Sequence, residues 1–341
     1  MRVKLKDITK FSKGTQINGK NLIDDGAYSY LNGGINPSGK WNEFNVSENT
    51  VTISEGGNSS GYVNYMNDAF WCGAHCYYLY DGPKNSKYLY YALKSQQERL
   101  FRIRSGACMP NIKKSDLGNF IIEYEKDEVR QEEVVKVLEK CELLIEDYNK
   151  KLTLLDEAVR ARFVEMFGDL RINDKGWKYY KLDELTELIT DGEHATPKRT
   201  TQGIYLLSAR NVLNHQLSLE DVDFIDCDEF DRISRRIIPK EGDVLISCSG
   251  SIGRCCIVPK NIKFQMVRSI ALLRFKSNIN PVFAEYMITS DYLQNQINKS
   301  KTASSQANLF QGKIKSLKGV VPPLELQNQF ASFVQEIDKS R

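Results

Sequence analysis

Two stretches of this chain carry the same residues in the same order at nearly the same offset. Val51, Ile53, Ser54 and Gly57 recur as Val244, Ile246, Ser247 and Gly250 in the pattern V-x-I-S-x-x-G. Tyr88, Tyr91, Leu93 and Ser95 answer to Phe283, Tyr286, Ile288 and Ser290. Asn111, Ile112 and Leu117 answer to Asn308, Leu309 and Ile314, and Gln131 with Val134 answers to Gln327 with Phe330. Such a chain folds as two related domains, because each copy must close a core of its own, and 341 residues suffice for that. Two copies of one unit usually do one job on two related sites.

A long helix is expected between the copies. From Gln131 to Phe167 there is no Pro or Gly, and apolar residues recur in alternating steps of three and four: Leu138, Cys141, Ile145, Tyr148, Leu152, Leu155, Val159, then Met166. That 3.5-residue period keeps one stripe turned toward a partner helix, as in a coiled coil, so Leu138 to Val159 are read as a partner-helix interface. At about 1.5 Å per residue the segment is roughly 55 Å long, and Gly168-Asp169 supplies its glycine stop. The alternative is a long helix lying on its own domain. A second helix is expected from Leu324 to Arg341 after Pro322-Pro323, its stripe begun by Leu326, Phe330, Phe333-Val334 and Ile337. Being shorter, it is expected to leave a half seam around Leu152, Leu155 and Val159 exposed.

Within each copy, β-branched and aromatic runs cut by Gly, Asn and Ser read as short strands joined by tight turns. Helical stretches are expected over Lys87 to Phe101 and Val282 to Ile297, followed by strands over Phe120 to Tyr124 and Gly319 to Val321. The opening segments around Leu5 and Leu182 read as strands. The fold class is α+β: two similar mixed domains separated by a long spacer helix, with a second, truncated spacer helix. The boundaries are 1–128, 129–169, 170–321 and 322–341.

With 41% hydrophobic and 27% charged residues the composition is globular, and no run of eighteen apolar residues is available to span a membrane. The N-terminus lacks an apolar signal core, so a cytoplasmic location with reduced cysteines is expected. Net charge is only +3, yet basic residues cluster: Lys4, Lys6, Lys10, Lys13 and Lys20 in the first copy; Lys198-Arg199, Arg232, Arg235-Arg236, Arg254, Arg268 and Arg274 in the second. A nearly neutral chain can still turn basic faces to a polyanion, although solvated surface charge explains the same residues.

Catalytic tools are missing. The three Gly-Lys pairs are followed by Asn21, Trp41 and Ile314, so no phosphate loop exists. No Lys has Asp or Glu two positions before it, which removes a common nuclease core. The tetrapeptide by which adenine methyltransferases hold a flipped base is also absent, since Pro322-Pro323 is followed by Leu324. Cys72, His75 and Cys76 sketch a zinc site without a fourth ligand, and a packed thiol pair is the simpler reading. Ser251 sits in a nucleophile-like Gly250-Ser251-Ile252-Gly253 turn with no base nearby. No catalytic residue and no metal site is assigned.

The ordered motifs resemble those of specificity (S) subunits of type I restriction–modification systems. They are Asp191-Gly192-Glu193-His194-Ala195-Thr196-Pro197, Gly242-Asp243-Val244-Leu245-Ile246-Ser247 running to Gly253-Arg254, Pro322-Pro323-Leu324-Glu325-Leu326-Gln327, and Ala161 to Asp169. The resemblance covers essentially the whole chain. It implies two target recognition domains, each reading one half of a bipartite site in double-stranded DNA, on two conserved helices paired antiparallel as a ruler. It also implies a non-catalytic chain that docks methyltransferase (M) subunits and, through them, a restriction (R) subunit, with S-adenosylmethionine and ATP bound only by those partners.

Carried over by matching segment, the DNA-facing residues would be Lys13, Lys40, Ser59 and Arg104 in the first domain. In the second they would be His194, Thr196, Lys198, Arg199, Arg210, Asn211, Ser251, Arg254, Arg268, Gln306 and Asn308. Arg reads guanine bidentately, Asn and Gln suit adenine, and Ser, Thr and Lys fix phosphates. The incompletely paired spacer helix would be completed by a second copy of the chain, another fragment or an M subunit. Two other readings stay open: a coiled-coil adaptor without a nucleic-acid role, and a recognition segment of a single-chain restriction–methylation enzyme.

Overall fold

Strand order repeats as faithfully as the residues do. The computed structural model describes residues 1–106, 108–299 and 308–341, which form two units, Met1–Tyr148 and Asn149–Arg341. The first unit begins with strands β1 (Arg2–Lys4), β2 (Lys10–Lys13), β3 (Tyr28–Leu31), β4 (Gly39–Trp41), β5 (Thr50–Ser54), β6 (Val63–Met66), β7 (Phe70–Cys72) and β8 (Cys76–Tyr80). Helices α1 (Ser86–Lys94), α2 (Gln97–Arg102) and α3 (Lys114–Gly118), strand β9 (Ile121–Glu123) and the long helix α4 (Glu128–Phe167) follow. The second copy runs β10 (Tyr179–Lys181), α5 (Leu182–Leu185), β11 (Thr186–Asp191), β12 (Ile204–Leu207), β13 (Val212–Leu213), β14 (Gln216–Leu217), β15 (Asp223–Ile225) and α6 (Cys227–Ser234). It continues with β16 (Val244–Ser247), β17 (Cys255–Ile257), β18 (Phe264–Met266), β19 (Ile270–Phe275), α7 (Pro281–Thr289), α8 (Asp291–Lys299), α9 (Gln311–Ser316), β20 (Lys318–Val320) and α10 (Leu324–Lys339).

The sheet β2-β8-β5-β6 has its counterpart in β11-β19-β16-β17, and β4-β3-β7 in β15-β12-β18. In each three-stranded sheet one pair is parallel, β3 with β7 and β12 with β18. The pairs β1-β9 and β10-β20 also correspond. The hairpin β13–β14 and helix α6 are insertions peculiar to the second copy.

The repeated V-x-I-S segments are the inner strands β5 and β16, every residue of which is buried. In β16 they read as the apolar run Val244-Leu245-Ile246, whereas β5 alternates Thr50, Thr52 and Ser54 with Val51 and Ile53 and buries the hydroxyl-bearing residues too. Gly57 and Gly250 follow them at φ +78° and +66°, a left-handed turn that a side chain would strain. Each helical stretch expected to be continuous is broken at the equivalent place, after Lys94 and after Thr289. Leu5 and Leu182, expected in strands, lie in short helical turns just after β1 and β10.

Both spacer helices begin on a buried glutamine. Gln131 donates to Tyr124 Oη and Glu125 O at 3.1 and 2.6 Å. Gln327 donates to Pro322 O at 2.8 Å and accepts from Asn280 N at 2.8 Å. A buried amide satisfied on both sides fixes where the chain turns into the helix.

Helix α10 runs back along α4 from its C-terminal end. Phe330 packs edge-on against Phe163 and Phe167, Arg162 lies over Phe333, and Arg341 reaches Asp156. This direction corrects the expected location of the bare seam. Val159 is 1% exposed, and Leu152 and Leu155 are half-buried. The exposed stretch instead includes Cys141, Ile145 and Tyr148, with Ile145 at 62% and neighbouring Leu144 at 61%. The contacts of α10 thus fall on the C-terminal part of α4, and the exposed apolar residues lie in its N-terminal part. Leu138, at the head of that half, is half-buried. Among the described residues no helix is long and apolar enough to cross a membrane.

Candidate nucleic-acid interface

The same backbone crossing shapes both copies at the ends of β2 and β11. A Cβ on Gly14 would stand 1.9 Å from Cys72 O, and one on Gly192 2.4 Å from Met266 O. Thr15 N and Glu193 N donate to those same carbonyls at 2.8 and 2.9 Å. Only glycine permits this approach. The loops after β5 and β16 lie beside the segments before α3 and α9. There Asn111 bridges to Gly56 in one copy and Asn308 to Ser249 in the other.

Different side chains decorate this common frame. In the first copy Lys13 Nζ bonds Glu55 Oε1 at 2.7 Å, and His75 Nδ1 lies 3.4 Å from Glu55 Oε2. Ser59 Oγ donates to Gly33 O at 2.5 Å. Arg104 lies 3.9 Å over the Phe101 ring with its buried Nε unbonded among the described residues, and Lys40 is exposed on β4.

In the second copy Asp191 accepts from Arg236 Nη2 at 2.6 Å, and His194 Nε2 lies 2.8 Å from its other oxygen. Burial alone would raise the Asp191 carboxyl, but the Arg236 hydrogen bond and the His194 charge outweigh it and hold the group below the usual carboxylate range. A cavity of about 390 Å³ opens beside this cluster, lined by Asp191, His194, Ser249, Arg268, Asn308 and Gln311. Arg268 is exposed, and its guanidinium has no ion-pair partner among the described residues.

Arg254 ends a loop held from several sides. Ser247 Oγ donates to Ser251 O at 2.6 Å and accepts from Arg254 N at 3.0 Å, while Gln294 Nε2 donates to Gly253 O at 2.9 Å. The equivalent glycines Gly61 and Gly253 close these loops by donating to Ser54 O and Ser247 O at 2.7 and 2.9 Å. Ser251 is exposed at the tip.

Other expected contacts stand differently. Arg199 and Arg210 are engaged by Asp223 at 3.0 and 3.2 Å, and Arg210 also approaches Asp221 at 3.5 Å. Both arginines are thus ion-paired within the protein while their side chains stay nearly half exposed. Asn211 is corrected outright: it is fully buried, accepts from Ser208 N at 2.9 Å and donates to Ser218 O at 3.2 Å, so it builds the turn and faces no ligand. Thr196 and Lys198 are exposed, with Lys198 N bonded to Glu229. Gln306 lies outside the described residues. Cys72 and Cys76 are buried together, and the Cys76 side chain hydrogen-bonded to it, together with burial, pushes the Cys72 thiol well above its ordinary range. His75 turns outward to Glu55.

Sequence reading missed Glu55, Asp223 and the Arg236–Asp191–His194 cluster. Lys13–Glu55, Arg199–Asp223 and Arg236–Asp191 lie 42, 24 and 45 positions apart along the chain, spacings that carry no local signal, although His194 is only three positions from Asp191.

The duplicated topology has a counterpart in known sequences. The family described as type I restriction modification DNA specificity domain matches residues 1–155 and 174–341, one match per copy. The chain belongs to this family. Two curated specificity subunits are similar to it. A Mycoplasma pneumoniae protein named as a type I specificity subunit is 32% identical over 209 residues, 54% of this chain and 56% of that protein. One from Mycoplasma genitalium is 32% identical over 201 residues, 51% and 52% of the two chains. The chain thus aligns with about half the length of these relatives. A crystal structure of a type I restriction-modification S subunit from M. genitalium superposes over 100% of this chain and 89% of its own, with a TM-score of 0.64 at 19% identity. That likeness shows that the specificity-domain fold is shared.

Proposed function

We propose that this chain is the DNA-recognition subunit of a type I restriction–modification complex, each copy of the specificity domain reading one half of a bipartite duplex site. The observation that carries the reading is the coincidence of the two family matches with the two copies of one strand topology. The chain is itself non-catalytic: methyltransferase subunits dock on the spacer helices and bring the restriction subunit with them. S-adenosylmethionine and ATP belong to those partners, and the complex works in the cytoplasm. The exposed apolar residues Cys141, Leu144 and Ile145 of α4 are where a further helix seats, from an M subunit or from a second copy of this chain.

Copurification of the chain with a neighbouring methyltransferase, followed by mapping of methylated adenines on genomic DNA, tests the reading; a bipartite motif is expected. Methyl transfer from S-adenosylmethionine to DNA by this chain alone would overturn the non-catalytic assignment. Light scattering of the pure chain at micromolar concentration decides between a second copy, which gives a dimer, and an M subunit, which leaves a monomer.

Arg254 and Arg268 are the cations we assign to phosphates. Arg254→Ala and Arg268→Ala are each expected to weaken binding to every duplex about equally and to reduce the slope of log affinity against log salt by about one. An unchanged slope in the double variant removes both residues from the interface.

A further inference from the structure

The hairpin inserted in the second copy turns on Asn214 and His215, and His215 has φ +62°. A left-handed residue in such a turn is most often Gly, Asn or Asp, with His also enriched there. The other described non-glycine residues with positive φ obey that rule: Asn49, Asp81, Asn173, Asp221 and Asn261. His215 is the one histidine among the described residues in this conformation, and its side chain makes contacts well beyond the turn.

That side chain is anchored in the helix seat. Its Nδ1 lies 3.2 Å from Oε2 of Glu285, a carboxylate buried on α7. Its ring stacks on Tyr286 with centroids 4.2 Å apart and planes 20° from parallel. Tyr286 packs in turn against Phe163 of α4 and Phe330 of α10. On its other side the turn is zipped to the strand that begins just after Arg254. His215 N donates to Cys255 O at 2.9 Å, and Cys255 N donates to Asn214 Oδ1 at 3.3 Å.

We infer that His215 is a positioning residue which ties the DNA-facing Arg254 loop to the aromatic seat of the spacer helices, so that the packing of α4 on α10 governs how the second copy reads DNA. The inference rests on the recognition role proposed above. The inserted hairpin is absent from the first copy, so the effect is confined to one half-site.

Enrichment of a randomised duplex pool by the full chain, purified with the methyltransferase subunits that accompany it, tests the inference. His215→Gly removes the side chain while relieving the turn. It is expected to keep one half-word and the salt slope unchanged, which shows that the chain is folded, and to lose about tenfold of the enrichment of the other half-word. His215→Asn tolerates the same backbone without the ring stack, gives the same loss, and guards against a folding failure of the glycine variant. Wild-type enrichment of both half-words by the two variants overturns the inference and leaves the recognition role standing. A wild-type complex that enriches no bipartite word overturns the recognition role and this inference with it.

Discussion

Phe330→Ala is expected to destabilise the second unit by about 3–5 kcal/mol, read as a shift in urea or thermal unfolding. Phe330 is fully buried where α10 meets α4, with its ring 5.4 Å from Phe163, 5.6 Å from Phe167 and 5.2 Å from Tyr286. Truncation removes the transfer energy of the ring and leaves a cavity that three aromatic neighbours on two helices cannot close. Each aromatic pair adds about 0.5–1.5 kcal/mol beyond its buried area. Ile145→Ala provides the internal control: on α4, the helix that Phe330 packs against, but 62% exposed, it is expected to change stability by less than about 0.5 kcal/mol in the isolated chain. A Phe330→Ala loss below about 1 kcal/mol would mean that α10 is not seated on α4 in solution.

The second large effect concerns a carboxylate with almost no access to water. Asp243 is 3% exposed and receives both Nε and Nη2 of Arg274 at 2.8 and 2.7 Å. Arg274 lies on β19, and Asp243 precedes the inner strand β16 while also accepting from Lys240 N at 2.8 Å. Arg274→Met leaves the carboxylate buried without its counter-charge, which costs about 3–5 kcal/mol. Adding Asp243→Asn removes the stranded charge and is expected to recover a substantial part of that loss. If the double variant is as unstable as the single one, packing of the arginine stem, not charge, is what matters at this position.

These two sites show how differently local pattern and long-range pairing can be read. The helix from Gln131 to Phe167 was legible because the absence of Pro and Gly, the 3.5-residue period and the Gly168 stop are all local; the structure extends it by one turn, to Glu128. The stripe on that helix was legible too, but not which part of it is covered. Periodicity says that a face is apolar and nothing about where a partner helix stops. The aromatic contacts that decide this join Phe163 and Phe167 to residues 283 and 330, far along the chain.

The candidate interface divides in the same way. Glycines 57 and 250 announced themselves as equivalent, since a left-handed turn after a buried strand has a strong residue preference. Arg210 and Arg254, by contrast, look alike in sequence. Only folding gives Arg210 two aspartates and Arg254 none among the described residues. Asn211 likewise reads as an adenine ligand until its amide is seen to be consumed by its own turn.

By itself, the sequence determined the duplication, the long helix with its glycine stop, and membership of the specificity-domain family, because each is written in residues close together or repeated in order. The tertiary structure alone decided which half of the helical stripe is bare, which cations are paired with carboxylates, and that His215 lies between the Arg254 loop and the aromatic helix seat. Burial and charge pairing depend on distances between residues remote in the chain, and those distances exist only once both copies have closed their cores.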